Sequence, residues 1–160
     1  MPSRYSADLS AIGTSVINEL TELNRDRELA LSVSREVVRF SANAIRAVHR
    51  GEFEEARDLI CKGDARLREA GHIQETSPQI FNAGFMNDAR KEFTEANVTL
   101  AVISGAKIPT ISDLKVDAGA YINGMAEVIG ELRRYILDAL RRDAIGGCQE
   151  FMDIMDEMYS

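Results

Sequence analysis

The chain has 160 residues, 28% of them charged and 45% hydrophobic, with 19 Lys and Arg against 26 Asp and Glu and a formal net charge of −7. That length suits one domain with a substantial core, and the acidic balance excludes a protein that grips nucleic acid by bulk charge alone while leaving room for a local basic lining. Cys61 and Cys148 stand at no zinc or redox spacing and read as free thiols of a reducing compartment. The first eight residues carry no apolar signal core and no run reaches transmembrane length, so the expected location is cytoplasmic.

Three prolines and almost no alternating stretches predict an all-helical chain. The first helix should run from about Ser6 to about Arg50. Its apolar positions (Leu9, Ile12, Val16, Leu20, Leu23, then Leu29, Val33, Val37, Phe40, Ala44, Val48) recur at threes and fours, with Gly13 the interior weak point. A helix of that length implies bundle or partner packing. Gly51 should end it, and a second helix follows from about Glu52 to Glu69, closed by Ala70-Gly71.

Ser77-Pro78 reads as an N-cap with proline in the first turn of a third helix that ends near Ser104-Gly105. Ala106 to Val116 reads as a loop. Asp117 can cap a fourth helix reaching about Asp143, with an apolar stripe of Tyr121, Ile122, Met125, Val128, Ile129, Leu132, Ile136 and Leu140. Gly146-Gly147 precedes a short last segment, Cys148 to Ser160. There Phe151, Ile154, Met155 and Met158 form an apolar face with nothing after it to cover it, so the natural protein is expected to continue. The pattern predicts an antiparallel helical bundle, without repeats.

Two acidic motifs stand out, E-F-T-E at Glu92–Glu95 and E-V-I-G-E at Glu127–Glu131. On a helical wheel Glu92 falls among Phe81, Phe85, Ala89, Ala96 and Ile103, and an ionised carboxylate there needs a cation, a metal or a proton. Without a metal its pKa should be raised. Glu127 and Glu131 lie one turn apart, opposite the apolar stripe of their helix, where acids are usually solvated. The pairs Glu19/Glu22 and Glu52/Glu55 show that spacing alone does not mark a site. A metal cage and a salt bridge from Glu92 to an arginine both satisfy these residues.

Little competing chemistry is visible. His49 and His72 are isolated and read as surface or helix-end residues, and the six methionines read as packing. There is no glycine-rich phosphate loop, nucleophile elbow or H-E-x-x-H motif. Arg90 and Lys91 precede Glu92, Arg133-Arg134 and Arg141-Arg142 follow Glu131, and Lys62, Arg66 and Arg68 mark the second helix. Cations beside carboxylates suit a phosphodiester, and equally suit ion pairing with nearby acids.

The stretch R-K-E-F-T-E-A-N, followed by A-Y-I-N-G-M-A-E-V-I-G-E-L-R-R, resembles the translin superfamily. It is closer to the translin-associated factor X (Trax) branch and the archaeal members than to translin itself. The resemblance spans essentially the whole chain, with its specific part in these two motifs. It implies a Mg²⁺- or Mn²⁺-dependent endoribonuclease acting on single-stranded RNA within a helical homo-oligomer. Glu92, Glu95, Glu127 and Glu131 would be its metal-binding and catalytic acids, and Arg90, Lys91, Arg133 and Arg134 its nucleic-acid contacts. Translin proper uses an arginine- and histidine-rich stretch before the first motif to bind RNA and single-stranded DNA without cleavage. Asn82, Gly84 and Met86 stand in that stretch here, which favours the nuclease branch. Two departures from the family stand out: Ala120 replaces the usual aspartate before Tyr121, and the further long helix that the resemblance leads one to expect lies outside these 160 residues. The resemblance also implies closed octameric shells. A non-catalytic RNA- or single-stranded-DNA-binding protein and a structural or regulatory helical oligomer are the alternatives.

Overall fold

The computed structural model describes residues 3–144 and 146–160. Among them the regular structure is all helical, in the order α1 (Ser6–His49), α2 (Phe53–Glu69), α3 (Ile73–Thr76), α4 (Pro78–Phe81), α5 (Gly84–Ser104), α6 (Ile111–Leu114), α7 (Ala118–Arg141) and α8 (Cys148–Tyr159). None of these helices is long and apolar enough to cross a membrane.

The 44 residues of α1 span roughly 66 Å at 1.5 Å per residue, and the two halves of the helix differ. From Asp26 onward it buries Ala30, Val33, Val37, Ala44 and Val48 against α2 and α5. Before Asp26 the same three-and-four spacing continues, yet Leu9, Ile12, Val16, Ile17 and Leu20 face outward. Gly51 ends the helix at φ 77°, its N–H donating to the Val48 carbonyl at 2.9 Å.

The third helix differs from its expected form. The helix is interrupted at Asn82-Ala83, so Pro78–Phe81 and Gly84–Ser104 are separate helices. The Asn82 side chain donates to the Pro78 carbonyl at 2.9 Å and Ala83 is extended, which ends the first turn locally. Ser77 does not cap α4 with its side chain. Its hydroxyl donates instead to the buried carboxylate of Asp26 at 2.7 Å. The predicted loop 106–116 contains α6, opened by a capping box: Thr110 Oγ1 accepts from the Asp113 N–H, and the Asp113 carboxylate accepts from the Thr110 N–H.

Helix α5 is the axle of the bundle, packed on α1, α2 and α7, with α8 folded back onto α7. One core gathers Val33, Val37, Ile73, Met86 and Phe93; the other gathers Val48, Ala96, Val98, Val128 and Leu132. The apolar face of α8 is not left open. Phe151, Ile154, Met155 and Met158 pack against the second core, and the Phe151 ring meets Tyr135 edge-on at 5.3 Å. The stripe predicted on α7 is only partly buried: Val128, Leu132 and Ile136 face inward, joined by Gly124 from outside the stripe, whereas Ile122 and Leu140 are exposed.

The crossing of α5 and α7 depends on one glycine. A β-carbon on Gly124 would lie 2.7 Å from Thr94 Cβ and 2.8 Å from the Lys91 carbonyl oxygen. Only a residue without a side chain lets α7 come this near the backbone of α5. That approach sets Glu127, one turn beyond Gly124, opposite Glu92 and Glu95.

Candidate metal and nucleic-acid site

Glu92, Glu95 and Glu127 converge where α5 and α7 cross, each offering one carboxylate oxygen within 4.8 Å of the others. Their settings are unequal. Glu95 is the buried member at 6% exposure, while the Glu92 side chain is 26% exposed and that of Glu127 is open to solvent. Both acids of the first motif are at the site as expected, but the enclosed setting that the helical wheel assigns to Glu92 belongs to Glu95. The wheel assumes one apolar face, whereas α5 is covered by α1 and α2 on one side and by α7 on another. Glu95, three residues on from Glu92, is turned into the second of these contacts.

Burial pushes the Glu95 carboxyl up to about 8, reinforced by the negative charges of Glu92, Glu127 and Glu131. Among the described residues no cation pairs with it. Glu92 and Glu127 do have a cation: Lys91 Nζ lies 2.6 Å from Glu127 Oε1 and 3.3 Å from Glu92 Oε1. The Glu127 carboxylate, accepting a hydrogen bond from the ammonium, holds Lys91 above the usual lysine range.

Glu131 does not join the three. Its carboxylate bonds to Nε2 of His49, at the last turn of α1, and lies 3.6 Å from Arg134 Nη1. The hydrogen bond from His49 holds Glu131 below the ordinary glutamate value. His49 is thus not a surface residue: its side chain is 6% exposed, and its Nδ1 is buried without a partner. The two residues are 82 apart in the chain, and nothing in the local sequence around either signals the pairing.

No family model matches the chain. An uncharacterized protein of Methanocaldococcus jannaschii is 30% identical over 146 residues, which is 90% of this chain and 64% of the relative, so the chain spans less than two thirds of that protein's length. The C3PO of Archaeoglobus, a translin/Trax-type protein solved in complex with duplex RNA, superposes with a TM-score of 0.82 at 32% identity, over 91% of this chain and 75% of that one. The chain belongs to the translin superfamily. A second structure of the Archaeoglobus protein matches with a TM-score of 0.83 at 31% identity, and apo-C3PO of Nematostella shares the fold, with a TM-score of 0.84 at 17% identity.

The basic residues of this translin-superfamily chain divide into two groups. Arg90 is buried: its guanidinium lies 3.9 Å above the Phe81 ring and donates to the Phe81 carbonyl and to Asn87 Oδ1, each at 2.8 Å. Buried and bonded through both terminal nitrogens to α4 and α5, it is a strut between those helices and is withdrawn from the expected nucleic-acid surface. Arg133 and Arg134 are exposed and, with Arg141, line one open hollow on α7. Lys91 lies between these groups, half-buried and engaged by the acids.

The acid cluster suits a hard divalent cation. All three donors are carboxylate oxygens, and the buried one has no counter-charge. The same cluster could be neutralised by protonation of Glu95 together with Lys91.

Proposed function

We propose that this chain is a metal-dependent endoribonuclease that cleaves single-stranded RNA by water attack on a phosphodiester, working within a homo-oligomer. Buried Glu95, lacking a cation and set against Glu92 and Glu127, is the observation that carries the reading. These three acids would hold one or two Mg²⁺ or Mn²⁺ ions. When bound, such an ion supplies an activated water and offsets charge developing on the phosphoryl group. Glu131, oriented by His49, would act from the rim of the site as a fourth acid, and Arg133 and Arg134 would hold phosphates flanking the scissile one. The RNA in the complex of the Archaeoglobus relative supports RNA as the polymer.

The outward row of Leu9, Ile12, Val16, Ile17 and Leu20 supports self-association, and the octamer of the intact family fold is the assembly proposed. One observation favours a second reading, an RNA- or single-stranded-DNA-binding protein that does not cut: Lys91 already satisfies two of the three acids.

A cleavage assay separates the two readings. Labelled single-stranded and duplex RNA are incubated with the protein in Mg²⁺, Mn²⁺ or EDTA, with Glu95→Gln as control. Cutting should require the metal and fall at least about a hundredfold in the variant. Metal-independent binding without cutting assigns the second reading.

A further inference from the structure

Lys91 ion-pairs with two of the three acids that a divalent ion would need. Its ammonium lies between Glu92 and Glu127, within ion-pairing distance of both, and its side chain is only 22% exposed. With Glu95 holding a proton, the oxygens that Glu92 and Glu127 bring within 4.8 Å of it and of each other still repel when charged, and a cation between them offsets that repulsion. In this chain the charge comes from the residue directly before Glu92. A divalent ion held by Glu92 and Glu127 would compete with the Lys91 ammonium for the same carboxylates, and the two cations would repel one another there. The carboxylates cannot hold both in these positions. The lysine stem has four rotatable carbons and can swing the ammonium outward, toward the side of the crossing where Glu127 is open to solvent.

We propose that Lys91 is the resident counter-ion of the acid cluster, displaced by the divalent metal and thereby freed to contact a phosphate of the RNA strand. The inference rests on the metal-dependent reading above and adds an order to it. The site is pre-assembled by an internal cation, and loading the metal converts that cation into a nucleic-acid contact. Lys91 is then a positioning residue in the empty site and a strand-binding residue in the loaded one. Arg134, paired with Glu131 and exposed on α7, has no such exchange to make.

Two measurements test it. Mn²⁺ is titrated into the wild-type protein, Lys91→Met and Lys91→Arg by calorimetry, without RNA. Circular dichroism confirms that the helical content of each variant is unchanged, since methionine keeps the apolar stem. Removing the competing charge should tighten Mn²⁺ binding by about tenfold in Lys91→Met, while Lys91→Arg stays near wild type. The salt dependence of binding to an uncleavable single strand is then compared in Mg²⁺ and in EDTA. Lys91→Met should lower the slope of log K against log salt by about 0.7 in Mg²⁺, the loss of one phosphate contact, and leave it unchanged in EDTA.

Wild-type Mn²⁺ binding with no tightening in Lys91→Met overturns the displacement and leaves the metal site standing. Mn²⁺ binding by neither protein overturns the metal site itself, and the inference with it. A slope that falls equally in Mg²⁺ and EDTA shows that Lys91 contacts the strand regardless of metal, which overturns the exchange.

Discussion

Asp26, in the corner where α1 meets α3 and α4, and Glu95, where α5 meets α7, are both carboxylates enclosed by helices. Their environments are opposite. Asp26 accepts hydrogen bonds from the hydroxyls of Thr76 and Ser77, both at 2.7 Å, and these bonds hold its pKa below the ordinary aspartate value. Glu95 faces other acids, and every neighbour that acts on it raises its pKa. The Asp26 corner is complete as it stands and links three helices. The Glu95 corner is stable at neutral pH only by keeping a proton, and a cation would relieve it. A buried acid with its own donors reads as structure; one set among acids reads as a site awaiting a ligand.

The sharpest way to break this contrast is to neutralise each acid and compare the outcomes. Glu95→Gln should abolish metal-dependent cleavage, the largest effect expected, while raising the thermal stability of the metal-free protein near pH 8. The sign follows from linkage. The folded state holds the Glu95 proton up to about pH 8, whereas the unfolded chain releases it near the ordinary value of 4.5. Stability of the metal-free wild type should therefore fall as pH rises from about 4.5 to about 8, and level off above that. Thermal melts across this range should show the decline in wild type and a flatter profile in Glu95→Gln. Added Mn²⁺ should restore wild-type stability at the upper end of the range and leave the variant little changed. A decline of equal size in both proteins would remove Glu95 as its source.

The same contrast marks how far the sequence could be read. Long helices were legible because their apolar residues recur at threes and fours and their ends carry local signals: Gly51 after α1, Asp117 before α7, whose carboxylate accepts from the Ala120 N–H at 2.8 Å. The short α6 also carries a readable signal, Thr-Ile-Ser-Asp, although Pro109 and the polar residues around it suggest a loop. The acidic motifs marked the right place on the fold but not the buried member. Telling Glu95 from Glu92 requires knowing that α5 is packed on two sides, which is tertiary information. His49 ends its helix as expected, but its burial against Glu131 is hidden for the same reason: the partner lies on another helix, and no spacing rule connects them. The close approach at Gly124 was equally hidden, since a glycine in a helix of good formers reads as a weak point until its neighbour is seen.

At the Asp26 corner the expected effects are smaller and fall on stability alone. Asp26→Ala leaves the hydroxyls of Thr76 and Ser77 without their shared acceptor and should cost about 2–3 kcal/mol in urea unfolding. Its stabilising contribution in the wild type is present above the ordinary value of 3.8 and is lost as pH falls through the lowered folded value, so Asp26→Ala should also reduce the acid sensitivity of the melt. Mn²⁺ affinity and RNA cleavage should stay at wild-type levels below the melting temperature, because this corner lies on helices that contribute none of the clustered acids.

Ser77→Ala removes one of the two donors and keeps the other, since Thr76 still reaches Asp26. The expected cost is about 1 kcal/mol, a fall of about 2–4 °C in Tm for a chain of this size. The informative comparison is with the Asp26→Ala background. If the Ser77 hydroxyl stabilises the fold through the carboxylate, deleting it there should cost much less than in wild type, and the difference is the coupling between the two groups. An undiminished cost would mean that Ser77 acts through packing at the start of α4. Asp26 would then be buried on the strength of Thr76 alone, and a single hydrogen bond would separate the satisfied acid from the unsatisfied one.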